Sequence, residues 1–258
     1  MRTLFKDMGL LLWLPVTILL AWWFGSANST SIYFPPLELI LETFARDWLG
    51  PRFVTDALPS IGKFLAGFGI AAVGGVFLGM LIGLSRRLNA ALDPLIQFLR
   101  AIPPPAILPI ALLLFGIGAS MNIAVIALGA IWPALLNTID GVRALDPQVV
   151  DMTKSYRLSP AKRIFKVLLP AASPQIFAGL RVTLQMSIIL IVVSEMFAST
   201  SGIGFYVLNS QQLFAVPETW AGTIVLGLLG YVATLIFVLI ERRVLAWHRG
   251  MYNSLEKA

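Results

Sequence analysis

The sequence predicts an all-α, polytopic membrane bundle of about six transmembrane helices. Of its 258 residues, 58% are hydrophobic and only 12% charged, whereas soluble domains carry roughly 25% charged residues. Mean hydropathy is +0.84. The apolar residues gather into segments close to the ~20 residues that a spanning helix needs. These are Leu10–Gly25, Leu58–Leu84, Leu92–Ile117, Met121–Ile139, Ala171–Phe197 and Trp220–Ile240.

An even number of spans returns both termini to one side, and Lys and Arg accumulate on the cytoplasmic side. Of the 19 Lys and Arg residues, Arg46 and Arg52 fall on the outer side, and Lys63, Arg100 and Arg181 lie within or at the ends of spans. The other 14 share the side of the termini. Both termini are therefore expected in the cytoplasm. The first span has an alternative reading as a cleaved signal, because Arg2 and Lys6 precede an apolar run ending in Gly25, Ser26 and Ala27. Cleavage would leave the later spans oriented as before.

Three divisions follow: 1–56, an N-terminal span and an external amphipathic segment; 57–245, the transmembrane core; and 246–258, a cytoplasmic tail. In the first, Leu37, Ile40, Leu41, Phe44 and Trp48 recur at helical spacing while Glu38, Glu42 and Arg46 take another face. This predicts a short helix on the outer surface. In the second span, Ala71, Gly75, Gly79 and Gly83 form a small-residue stripe on which another helix of the same subunit can pack. Pro103, Pro104, Pro105 and Pro109 break the third span by removing amide donors. Such backbone is tolerated at membrane depth where it is buried in protein or lines a wet cavity. A pathway wall and a kink that merely shapes the bundle are both open.

The connection from Asp140 to Pro170 is too polar to enter the bilayer. Asp146 to Tyr156 suits one short helix, and Ser159 followed by Pro160 is a good N-cap and first-turn pair for a second, Pro160 to Leu169. Lys162, Arg163 and Lys166 would face polar surroundings; Ile164, Phe165, Val167 and Leu168 also suit lipid headgroups.

Cysteine is absent and His248 is the single histidine, which speaks against disulfides, thiolate or imidazole metal sites and His-based catalysis. The net charge of +6 reflects membrane orientation, with no basic face on a soluble module for nucleic acid. No convergent carboxylates or nucleophile point to an enzyme.

At the fourth-to-fifth connection the chain resembles the permease subunits of ATP-binding-cassette importers, in the branch serving nitrate, sulfonates, taurine and pyrimidine-type compounds. The resemblance covers roughly Leu58 to Trp247. It includes Arg100-Ala101-Ile102-Pro103, Phe115-Gly116-Ile117-Gly118 and Asn137-Thr138-Ile139-Asp140-Gly141-Val142-Arg143. It continues through Gly179-Leu180-Arg181, Ser194-Glu195-Met196 and Gly202-Ile203-Gly204. The family's cytoplasmic loop has an acidic residue, two alanines, a glycine and then Leu-Pro; here the register gives Asp151, Met152, Thr153, Arg157, Leu169 and Pro170. Aspartate replaces glutamate, both alanines are lost, and Arg157 stands where glycine would turn the chain most easily.

The resemblance implies an inner-membrane importer subunit in which two permease copies form the pathway. They associate with two ATPase subunits, membrane lipid and an external or periplasmic solute-binding protein. The chain has no Gly-x-x-x-x-Gly-Lys-Ser/Thr phosphate loop, so no cofactor is expected here, and ATP and Mg would sit on the ATPase. Val150, Asp151, Met152, Thr153, Ser155, Tyr156, Arg157 and Leu158 would make the coupling contact.

Charges at membrane depth usually face the bundle interior. Arg181 and Glu195 share a helix, about 21 Å apart by helical rise, too far to pair with each other. Glu195 would lie near the outer end, where Gly202 and Gly204 let the chain bend over a pathway. Either charge could instead be satisfied by a neighbouring helix. Arg100, Pro103, Pro104, Arg181 and Glu195 are the pathway candidates, with the two arginines suited to offsetting an anion such as a sulfonate or nitrate. A pyrimidine or thiamine-precursor solute fits the same machinery. An ion-coupled secondary transporter is a different class, and would need more carboxylates in the spans than Glu195 alone.

Overall fold

The computed structural model describes the backbone of residues 2–247 and the side chains from Trp13 onward, except those of Pro147, Val150 and Lys154. Of the expected tail, 248–258 lie outside the described residues. Eleven helices follow one another among the described residues: α1 (Arg2–Ser26), α2 (Leu37–Trp48), α3 (Leu58–Leu84), α4 (Arg86–Ala101), α5 (Leu108–Phe115), α6 (Ala119–Arg143), α7 (Pro147–Ser155), α8 (Pro160–Arg163), α9 (Leu169–Ala198), α10 (Ile203–Gln212) and α11 (Val216–Val244).

Four continuous helices are long and apolar enough to cross a bilayer: Phe53–Leu84, Ala119–Arg143, Pro160–Ala198 and Val216–Val244. The expected third span is a bent pair instead, with Arg86–Ala101 and Pro104–Phe115 meeting at 89°. The cause is local. Ile102 precedes a proline and is driven to an extended ψ of 120°, and Pro103, Pro104 and Pro105 supply no amide to carry α4 onward. In α1 the described apolar stretch is Trp13–Ser26, shorter than the other spans.

The core is built on α6, with α3 on one side and α9 on the other. Phe64 and Ala71 of α3, Met121, Val125, Ile126 and Ala130 of α6, and Leu184, Leu190 and Ile191 of α9 are buried together. Lipid offers these side chains nearly as good a solvent as one another, so close backbone approach and dispersion must hold the helices. The stripe on α3 supplies that approach within one subunit. A Cβ at Gly75 would lie 2.8 Å from that of Ala134, and one at Gly79 would lie 2.6 Å from the carbonyl oxygen of Leu135. On the other flank, a Cβ at Gly179 would come 2.6 Å from the Pro133 carbonyl oxygen. One turn further along α9, Thr183 Oγ1 accepts the amide of Ala134 at 3.1 Å. A hydroxyl from α9 thus satisfies α6 beside its internal proline.

Two spans begin alike. The turns Phe53–Ala57 and Ile164–Leu168 are π-helical, and each runs into a Leu-Pro pair, Leu58-Pro59 and Leu169-Pro170. A proline cannot donate to the residue four before it and its ring crowds that carbonyl. Widening the preceding turn, with Leu58 N–H donating to Phe53 O and Leu169 N–H to Ile164 O, relieves the clash. The second short helix expected at Pro160 to Leu169 therefore runs unbroken into the span that follows.

The external helix α2 docks more deeply than its apolar face predicts. Leu37, Ile40, Thr43, Asp47 and Trp48 are buried and Leu41 is exposed. Asp47 turns inward because Tyr206 of α10 donates its hydroxyl to Asp47 at 2.6 Å, and Arg46 bridges Asp47 and Glu218 of α11. Burial pushes the Asp47 carboxyl up, but hydrogen bonds from Arg46 and Tyr206 and the charges of Arg46 and Arg52 outweigh it and hold the group below its usual 3.8. Burial and the Asp47 hydrogen bond push the Tyr206 phenol above its usual 10.0.

Candidate functional site

At one end of the bundle, α7 stands between α6 and the α8–α9 rod. Its last α-helical bond runs from Tyr156 N–H to Met152 O at 2.9 Å, and it closes with the 6→1 bond of a Schellman turn, Leu158 N–H donating to Thr153 O at 3.1 Å. Arg157 takes the left-handed position between them with φ 52°, the conformation that favours glycine. Ser159 then caps α8 through the amide of Lys162, as its place before Pro160 predicts. The turn fixes which residues of α7 face outward. Thr153 is buried, Asp151 and Ser155 are exposed, and Met152 and Tyr156 are 56% and 74% exposed. The side chain of Val150 lies outside the described residues. A short polar-ended helix thus presents a thioether, a phenol and a carboxylate beyond the apolar bundle.

At the opposite end, the start of α10 is held by a buried polar cluster. Glu195, 1% exposed, pairs with Lys63 Nζ at 2.5 Å and accepts the Gly204 amide at 3.0 Å. Ser60 Oγ lies 2.7 Å from Glu195 Oε1 and accepts the Ile203 amide at 3.0 Å. Asp56 accepts the Gly202 amide at 2.9 Å. Three successive amides at a helix N-terminus thus meet two carboxylates and a hydroxyl, the partners that orphan donors and the helix dipole favour. Gly202 has φ 120°, and a Cβ there would overlap the Glu195 carboxylate, so glycine alone fits.

Residues 75–246 match the sequence profile of the family described as "Binding-protein-dependent transport system inner membrane component". The chain belongs to that family. It is 35% identical over 238 residues to the bicarbonate transport system permease protein CmpB of Synechococcus elongatus, covering 88% of this chain and 86% of the relative. It is 32% identical over 250 residues to the putative aliphatic sulfonates transport permease protein SsuC of Bacillus subtilis, covering 96% and 88%. Its fold superposes on a chain of the inward-facing MetNI methionine ABC transporter with a TM-score of 0.63 at 18% identity, covering 80% of this chain and 98% of that one. With its apolar helices, family membership makes this a multi-pass inner-membrane permease.

Within the permease, the five pathway candidates occupy separate places. Glu195 is engaged at α10. Arg181 on α9 pairs with Glu241 of α11. Arg100 lies in the last turn of α4, is exposed, and makes no ion pair among the described residues. Pro103 is exposed, and Pro104 packs against α6, 3.2 Å from where a Cβ of Gly129 would stand.

Sequence reasoning treated Lys63 only as a charge in a span and passed over Asp56 and Ser60. Their spacing of four and three residues puts all three on one face of the helix, a signal visible in the sequence.

Proposed function

We propose that the chain is the translocation-pathway subunit of an ATP-driven importer for a small anion, working as two identical copies with two separate ATPase subunits and an external solute-binding protein. ATP and Mg would be bound by the ATPase, and this chain would contribute no catalytic group. Both termini and α7 face the cytoplasm in this reading, following the 14 Lys and Arg residues on that side. The anionic substrate rests on two relatives, one named for bicarbonate and one for aliphatic sulfonates.

The observation that carries coupling is α7. Its Schellman turn fixes Met152 and Tyr156 outward, and exposed apolar groups on a polar loop suit a protein partner. Closure of the ATPase pair on ATP would pull α7, with Asp151 as its polar contact. α6 and α9, joined to α7 on either side, would carry the displacement into the bundle. Replacing Asp151 by Arg tests this through ATPase co-purification and uptake. Both should fall at least severalfold, and unchanged values in both would show that the segment does not transmit force.

A further inference from the structure

Between α3 and the α8–α9 rod, in the half of the bundle nearer α7, runs an apolar groove of about 550 Å³. Val76, Met80, Leu169 and Leu180 line it and pack on the buried Val142 of α6 and Ala172 and Ile176 of α9. Phe77 and Phe165, 61% and 67% exposed, line it from the two sides. We infer that this groove is a phospholipid site, which takes one acyl chain of the leaflet on the α7 side and holds an anionic, phosphatidylglycerol-type headgroup at its mouth. Such a site goes beyond the importer reading and holds whichever solute is carried.

The length fits one leaflet. Ala72 to Leu84 line the groove over about 18 Å by helical rise, and one leaflet of hydrocarbon is about 15 Å deep. The groove therefore runs from the membrane surface to about its middle. Its exposed α3 face is Val73, Phe77, Leu81 and Leu84, too bulky for the close backbone approach on which helix pairs in lipid depend. The small-residue stripe of α3 is already spent on α6. A flexible chain fits such a face better than another helix does.

Charge selects the headgroup. Arg86 and Arg87 follow Leu84 at the mouth, and Lys162, Arg163 and Lys166 flank Ile164 and Phe165. These basic residues make no ion pair among the described residues. The acidic residues at this end of the framing helices are Asp93, which accepts from Gln97, and Asp140, three positions from Arg143. The mouth is thus positive on both sides, and each basic residue beside an anionic headgroup is worth about fivefold in affinity.

The other apolar groove lies between α2, α3 and α11, is about 370 Å³ in volume, and is lined by Trp48, Phe64 and Leu229 among others. Arg46 and Arg52 at that end face Asp47, Asp56 and Glu218 at up to 3.8 Å. Their charge is balanced, so an anionic lipid gains no advantage there.

The chain contains no cysteine, so Leu78→Cys, exposed beside Phe77 and Leu81, can carry a single bimane. The full-length chain would be placed in phosphatidylcholine nanodiscs doped with either phosphatidylglycerol or phosphatidylcholine whose acyl chains carry bromine, a contact quencher. Brominated phosphatidylglycerol should reach half-maximal quenching at a mole fraction at least fivefold lower than brominated phosphatidylcholine. Arg86→Gln/Arg87→Gln and Lys162→Gln/Lys166→Gln should each at least halve that preference, and the four changes together should erase it. Ala72→Phe, which fills the groove and leaves the basic mouth intact, should erase it too. Bimane on Tyr231→Cys, exposed beside Leu228 and Val232 of the other groove, should be quenched equally by both lipids. Equal quenching at position 78, or a preference that survives the four charge changes, would overturn the site. Quenching by neither lipid would place protein, such as a second copy of the chain, over the groove and overturn it equally. Uptake plays no part in the readout, so failure here leaves the importer reading standing.

Discussion

Replacing Glu195 by Ala should cost the permease more than any other single change among its described polar groups. Glu195 is 1% exposed, and its removal leaves Lys63, itself 8% exposed, as an uncompensated charge inside the bundle. Breaking a buried ion pair from one side typically costs about 3–5 kcal/mol. The Gly204 amide also loses its acceptor, a loss of about 1–3 kcal/mol taken alone. Both belong to one network and do not add in full, so about 4 kcal/mol is the working figure. At roughly 2–4 °C per kcal/mol for a chain of this size, the midpoint of thermal aggregation in detergent, followed by size-exclusion chromatography, should fall by about 10 °C. The double variant Lys63→Met/Glu195→Leu removes both charges and should recover most of the loss. A midpoint for Glu195→Ala within about 2 °C of the unmodified protein would refute the reasoning. A double variant as unstable as the single would show that capping of Gly204, rather than the ion pair, dominates.

Gly79→Val would force a side chain into the 2.6 Å between the Gly79 Cβ position and the Leu135 carbonyl oxygen. It should destabilise by about 1–3 kcal/mol or more and abolish uptake, whereas Gly69→Ala, with nothing within 4 Å, should match the unmodified protein in the same melting assay. Arg157→Gly relieves the left-handed conformation at φ 52° and should stabilise the turn after α7 by about 1 kcal/mol, read as slower trypsin cleavage after Lys162 and Arg163. The α2 dock should be insensitive to pH from about 5 to 9. Asp47, held below 3.8, contributes stability present above that value and lost only as pH falls through its depressed one. Tyr206, raised above 10.0, contributes stability present below that value and lost as pH climbs through its raised one. Melting of the unmodified protein and of Tyr206→Phe should differ by a constant offset across that window, and a slope in the difference would contradict the assignment.

What the sequence made legible is what depends on neighbours within a turn or two. Apolar runs of spanning length, the stripe from Ala71 to Gly83, the break at Pro103 to Pro105 and the Ser159 cap are each fixed by residues adjacent in the chain. Contacts between distant segments were not legible. Ser60 and Glu195 are 135 positions apart, and Asp47 and Tyr206 are 159 apart. No periodicity in one segment announces a partner in another. α2 shows the consequence: its apolar spacing predicts Leu41 inward, but the Tyr206 hydroxyl and Arg46 make the Asp47 face the better one to bury. The π turns before Pro59 and Pro170 lie between these cases, since the Leu-Pro pairs are visible and the widened turn answers a clash that appears only in three dimensions.

The two helices joined to α7 run from it to the other end of the bundle. α6 ends beside α7 and begins at Ala119, and α9 starts from the α7 end and leads to Ser199, Thr200 and Ser201. They are clamped to each other midway, where Gly179 and Thr183 of α9 meet the backbone of α6 around Pro133 and Ala134. Packed helices resist compression and slide or pivot as units, so a displacement imposed at α7 would reach the opposite end of the bundle. At that end, Glu195 ties α9 to α3 through Lys63 and to α10 through the Gly204 amide. A pivot of α9 would therefore shift the seating of α10 as well.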